Sequence, residues 1–565
     1  MLALAGAGLL ALSALPPRTQ VSTGGGPPQP EGPSSDPGAL ARQANQVLTT
    51  HCYRCHGENG AAEGGLNYIR DRDMLVARKK LVPGDAERSK LFRRVQKGEM
   101  PPPEEATRPG PAEVAVLKEW INAGAPAATS PAAPVPFLSN EQLATTIHHD
   151  LMSLPERDRR FARYFLLTHL ANAGLSADEL QTYRLALAKL VNSLSWNKEI
   201  VNPRPVDPAR TILRIDIRDY TWNDSLWGRI LAAYPHGLLP DTPEARTCFE
   251  VAGEQLPFLR ADWFVAAAAR PPLYHELLQL PASEGALEAQ LHIDLLGDVR
   301  QERVARAGFN GSGVSRNNRV IERHASPYGA YWRSYDFASN VGRRNLFAHP
   351  LGPGPEASAF EPDGGEVIFN LPNGLHAFLL VDGRGRRLDK APIAIVSDPR
   401  RGDRAVENGV SCMSCHARGL IPKADQVRAH MARNRGAFTP TEADTIRALY
   451  PPEATLADLF ARDNERYRKA VERTGGRLTV TEPVAALVWQ YEKELDLKTA
   501  AAELGLRPEE LSQRLDQSPD LGRELGPLRV ANGTVQRQVF NDAFADLVRE
   551  LQLGRYLHTG RREAD

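Results

Sequence analysis

The sequence predicts a multidomain chain: a small all-α domain, then a mixed α+β region with a β-meander, then a helical C-terminal region. Three patterns predict it. Apolar residues recur at helical spacing at Leu40, Ala44, Val47 and Leu48, and again at Val114, Leu117, Trp120 and Ile121. Between about 137 and 410 the periods are mixed, with a helical run, apolar residues alternating with polar ones, and turns rich in Gly, Pro and Asn. Beyond about 437 the spacing is helical to the end. A length of 565 residues suits several cores, at about 100 to 200 residues per domain.

In chain order, the opening MLALAGAGLLALSALPPRTQ (1–20) is an apolar run ending at prolines. It is too short to span a bilayer and is shaped like a secretory signal, without the basic residues that usually lead one. Residues 21–38 are rich in Gly, Pro and Ser and read as a flexible linker. The first domain is expected over 39–126, and AATSPAAPVP (127–136) is a second linker. The α+β region spans 137–436. Within it Ser176 and Glu179 form a capping box ahead of Leu180, Tyr183, Leu187, Leu190, Val191 and Leu194 on one helical face. Alternation at Leu213, Ile215 and Ile217, and at Leu291, Ile293 and Leu295, predicts half-buried strands. Val367, Phe369 and Leu371 predict another, and Pro372-Asn373-Gly374 turns the chain into a strand at His376 to Asp382. A meander thus leads to residue 410. The last region, 437–565, carries helical spacing such as Val484, Leu487, Val488, Tyr491 and Leu495 behind Pro483.

Charge excludes some functions. Lys plus Arg equals Asp plus Glu at 69 each, so no global field recruits nucleic acid or an anionic membrane. Ten Lys and Arg against five acids between Arg70 and Glu99 form either a solvated face or a dock for an acidic redox partner. AAAELGLRPEELSQRL resembles a helix-turn-helix, a pattern that two packed helices give equally well without DNA. His148-His149-Asp150 and Arg323-His324 read as polar contacts before acid–base groups. No segment after the first reaches the length of a membrane span.

Four of the five cysteines form two Cys-x-x-Cys pairs, each followed by His: Cys52, Cys55 and His56, and Cys412, Cys415 and His416. Cys248 is left over and reads as a small buried hydrophobe. The three-residue step brings two sulfurs to one edge of a porphyrin for thioether bonds, and the next residue reaches the iron, so the run is read as c-type haem attachment. With 5 Cys and 14 His in 565 residues, one accidental match is expected in on the order of a thousand chains. A zinc site joining both pairs would close across about 360 residues and leave both histidines unexplained. For the sixth ligand of the first haem the candidate is Met100 in GEMPPP, where three prolines hold a stiff extended loop that can present a thioether. The second haem has no such loop. Met413 lies inside its own attachment loop, and His430, His324 and Met431 are the alternatives to an open or water-bound iron.

HCYRCHGENG, LVPGDAERSKLFRRV, MPP and LKEWINAGA together resemble the cytochrome c domain abundant in planctomycetes, over roughly Asn45 to Ala125. The resemblance implies an all-α haem fold with His56 proximal and Met100 distal. RAGFNGSGVSRNNRVIERH, YWRSYDFASNVG, GGEVIFNLPNGL and ENGVSCMSCHARGLIPKADQVRAH resemble uncharacterised multihaem c-type cytochromes, which bring no established activity.

The expectation is an exported, periplasmic di-haem cytochrome with two covalently attached c-type haems, passing electrons between other redox proteins. It would bind no nucleic acid and have no integral membrane span in the mature chain. The alternative is a di-haem redox enzyme, peroxidase-like or a substrate oxidase, with the second haem catalytic.

Overall fold

The computed structural model describes residues 33–34, 36–56, 66, 68–70, 72–103, 105, 107–126, 136–312, 314–354, 356, 358–398, 403–478 and 482–557. The expected signal segment, most of the first linker and all but the last residue of the second lie outside the described residues.

The chain is a multidomain mixed α and β protein that divides into two compact units. One comprises residues up to 47 and 72–128. Its described part is helical. The helix Pro111–Asn122 starts with proline at its first position, where no amide partner is lost, and the Glu113 carboxylate accepts from the Gly110 amide at 2.8 Å. Val116, Leu117, Trp120 and Ile121 form its buried stripe. The helix Lys90–Gln96 buries Phe92 and Val95, and the Gly84 amide donates to Ile121 O at 2.8 Å.

The other unit comprises residues 48–71 and 129–565. Its described residues hold a four-stranded sheet, a six-stranded sheet and helices around both. The strands β1 (Ala162–Leu166), β2 (Arg204–Pro205) and β3 (Ile212–Asp216) join β5 (Phe258–Arg260) in the order β2-β3-β1-β5, while β4 (Leu238–Leu239) pairs with Arg555–Tyr556. The larger sheet is an antiparallel meander of β6 (Ala305–Asn310), β7 (Asn318–Ser326), β8 (Gly329–Asp336), β9 (Gly364–Asn370), β10 (His376–Asp382) and β11 (Arg387–Leu388), each beside its neighbour in sequence. Gly374, at φ +92°, makes the β9–β10 turn, and Asn373 Oδ1 accepts from the Leu375 amide at 3.0 Å.

Two-residue alternation splits the meander into two faces. Arg319, Ile321 and Arg323 of β7 lie beside Asp336, Ser334 and Trp332 of β8 on one face. Val320, Glu322 and His324 lie beside Tyr335, Arg333 and Tyr331 on the other. The second face packs Val320 and Tyr335 against Phe337, Phe360, Met431 and Tyr450.

Two elements differ from the sequence expectation. Leu291, Ile293 and Leu295 form no strand, because the chain there joins the helices Glu284–Gln290 and Leu295–Arg300, with Asp294 Oδ1 capping the second through the Gly297 amide at 2.9 Å. Three alternating residues are too few to outweigh such caps. The C-terminal region is mostly helical, but Leu495–Asp496 pairs with Thr534–Val535 in a short ladder. The helices Leu497–Glu503 and Pro508–Gln517 bury Ala500, Ala501, Leu511 and Leu515 in one core, so the helix-turn-helix pattern is here a packed pair. No helix among the described residues is long and apolar enough to cross a membrane.

Candidate functional site

The helix Pro37–His51 runs straight into the first motif. The Cys52 amide donates to Leu48 O at 3.0 Å, and the His56 amide donates to Cys52 O at 2.9 Å, so the step from cysteine to histidine is one tight helical turn. His56 Nδ1 lies 3.1 Å from Leu66 O. A carbonyl only accepts, so Nδ1 carries the proton and Nε2 keeps its lone pair. Burial, with the neighbouring Cys55 thiol, pushes the Cys52 thiol up to about 12. A neutral thiol is a poor metal ligand and a poor redox nucleophile. Met100 lies in the first unit, half-buried, its amide donating to Arg94 O at 3.2 Å.

The second motif has the same local build. Gly409, at φ +87°, admits the helix Val410–Cys415, and the His416 amide donates to Cys412 O at 2.8 Å. His416 Nδ1 donates to Gly419 O at 3.1 Å, again leaving Nε2 for a metal. Asn464, on the helix Glu453–Arg473, holds that loop by accepting from the Leu420 amide at 2.7 Å and donating to Leu420 O at 3.0 Å. Burial holds the Cys412 thiol well above its ordinary value, with Glu366 adding to the effect. Neither Cys-x-x-Cys pair is closed into a disulfide. Among the described residues no group of three or more His, Cys, Asp or Glu side chains is placed to hold a bare metal ion.

Cys412, Cys415 and His416 open into a cavity of about 450 Å³, within the roughly 300–1,000 Å³ usual for cofactor sites. Ile321, Trp332, Ile368, Leu380, Leu420 and Phe460 give it apolar walls, and Trp332 stacks on Phe460 with centroids 4.6 Å apart. Lys423 also lines it and offers a cation for an anionic ring substituent, while Arg319 on the same lining is paired with Asp336. The residues therefore fit a covalently held porphyrin: two sulfurs, an anchored imidazole, apolar walls and a basic group.

The structure brings neither of the other two predicted histidines to this cavity. His324 is fully buried on the opposite face of the meander, because an even-numbered residue of β7 cannot share a face with Arg319 and Ile321. Its Nδ1 lies 3.1 Å from Asp298 Oδ2 and its Nε2 3.0 Å from Glu322 Oε1. Burial disfavours its charge, but Glu322 and Asp298 outweigh it and raise the imidazole above its ordinary value, so both nitrogens donate and neither has a lone pair to give. His430, on the helix Val427–Arg433, packs its ring 5.2 Å from that of Phe347 and does not line the cavity. Met431 is buried on the His324 side of the sheet. Asp150, beside His148 and His149, accepts from Arg214 at 2.7 Å and from Tyr164 Oη at 2.8 Å, a structural polar contact.

Sequence reasoning missed Glu366. It lines the cavity from β9 with Oε2 3.7 Å from His416 Nε2. Burial raises a carboxyl, but His416, then Cys412 and Arg319, more than offset it and bring Glu366 down to about 2. The available signal was an acid inside GGEVIFN, an otherwise apolar strand.

A family model described as Planctomycete cytochrome C matches residues 52–104. No curated protein and no solved structure matches the chain. The cytochrome c segment points to a haem-based redox or electron-transfer role.

Proposed function

We propose that the chain is an exported di-haem c-type cytochrome, with one haem on Cys52 and Cys55 and one on Cys412 and Cys415, transferring electrons between periplasmic redox partners. One observation carries the reading. In both motifs the histidine that follows the second cysteine gives its Nδ1 proton to a backbone carbonyl at 3.1 Å, which fixes the ring and leaves Nε2 toward an iron. Two separate stretches of chain share this arrangement. The haem would supply one-electron chemistry; the protein supplies axial ligands, attachment and an environment that sets the potential. Met100 is proposed as the sixth ligand of the first haem, on the strength of its stiff proline loop.

The signal-like opening supports export, and no helix among the described residues is long and apolar enough to cross a membrane. The basic run between Arg70 and Glu99 reads first as a solvated face and second as a dock for an acidic partner. Intact mass after expression in a host with haem-attachment machinery should show two haems per chain. Replacing Cys412 and Cys415 together by Ala should remove one of them, and a full complement in that variant would overturn the assignment.

A further inference from the structure

Attachment of a porphyrin at the second motif changes the surroundings of one buried carboxylate. Glu366 faces the cavity from β9, and its Oε2 stands 3.7 Å from His416 Nε2. That is too long for a hydrogen bond. Two donors on opposite sides of one metal, each bonded at about 2.0–2.2 Å, stand about 4.0–4.4 Å apart, a few tenths of an ångström more than this. The Cys412 thiol and Arg319 line the same cavity as Glu366 and His416.

A thioether has no proton to donate, and an imidazole bound to iron has no free Nε2. Attachment therefore leaves the Cys412 sulfur without a proton and ties His416 Nε2 to the iron, and Arg319 is already paired with Asp336. A buried carboxylate beside a sulfur that no longer carries a proton is destabilised unless a positive charge meets it. Among the described residues, no Met and no His other than His416 lines the cavity, whose walls include Ile321, Trp332, Ile368, Leu380 and Phe460, with Arg319, Arg333 and Lys423 as its cations.

We propose that Glu366 is the axial carboxylate of the second haem, completing the iron on the side away from His416. This rests on haem attachment at Cys412 and Cys415. A hard anionic oxygen favours ferric over ferrous iron, whereas a thioether raises the potential. The second haem is then the low-potential, weak-field site and the first, with Met100, the high-potential one.

The test uses the full chain matured with haem, alongside a variant carrying C52A and C55A that keeps only the second haem. Ferric spectra and EPR of that variant should be high-spin, and its midpoint potential should lie below that of the first haem. Glu366→Gln should shift the potential upward, and Glu366→His should convert the site to low-spin. A low-spin second haem in otherwise unaltered protein would overturn the role of Glu366 even if neither Glu366 variant folded. An intact mass lacking the second haem would instead overturn attachment itself, which separates the two failures.

Discussion

Histidines in this chain are told apart by what their ring nitrogens meet. His56 and His416 each give Nδ1 to a carbonyl, and His324 gives both nitrogens to carboxylates. His275 is a third case. Buried at 4 % exposure, it accepts at Nε2 from Asn408 Nδ2 at 2.7 Å, and its Nδ1 lies 3.4 Å from Asp389. Burial, and then the Arg387 charge, lower it to about 4 despite Asp389. Its folded value lies below its unfolded value of about 6.5, so protons bind the unfolded chain more tightly. The stability this contributes is complete above pH 6.5 and is lost as pH falls toward 4, by up to about 3 kcal/mol. His275→Gln, which cannot take up that proton, should flatten the pH dependence of urea unfolding across this window. An unchanged slope would show that His275 is not the group responsible.

At the scale of elements, Gly409 seats the second motif. It has φ +87°, and a Cβ there would stand 2.3 Å from the backbone oxygen of Ala269. Gly253, at φ +73°, has nothing within 4 Å of its Cβ position. Gly253→Ala should cost about 1 kcal/mol for the left-handed backbone alone. Gly409→Ala should cost at least about 2 kcal/mol more, because the carbonyl of Ala269 must move. Thermal unfolding of the two variants, with haem content measured alongside, checks the difference; equal losses would place Gly409 outside the seating of the motif. Helices, caps and the meander were legible because they are local: the Ser176–Glu179 box forms as its spacing predicts. That neither His324 nor His430 reaches the cavity at the second motif was not legible. Both faces of β7 are covered, one by the cavity and one by a core, so alternation reveals two faces without revealing which one Arg319 shares and His324 does not. Glu366 escaped notice because its neighbour His416 is fifty residues away in sequence.

Across the larger unit, one core joins residues that the sequence pattern places in separate regions. Leu456, Phe460, Tyr467, Val471, Leu487 and Val488 pack in the same cluster as Leu187, Leu190, Phe378 and Met413. Polar bonds cross the same divide. Lys189 pairs with Glu482 at 2.6 Å, both nearly inaccessible to water, and Arg323 and the Trp332 indole both donate to Asp463 Oδ2, at 2.7 and 2.8 Å. Removing one partner of a buried pair leaves the other charged without compensation, at about 3–5 kcal/mol each. A chain ending at 436 would lose Asp463, Glu482, the Phe460 wall of the cavity and the Asn464 clamp on the His416 loop together. Those losses exceed the roughly 5–15 kcal/mol that holds a typical domain folded. The truncated chain should therefore be degraded or aggregate, and it should lack a haem at Cys412. A soluble product that unfolds cooperatively and carries that haem would mean that residues after 436 form a separate domain, with the shared core contributing little to either part.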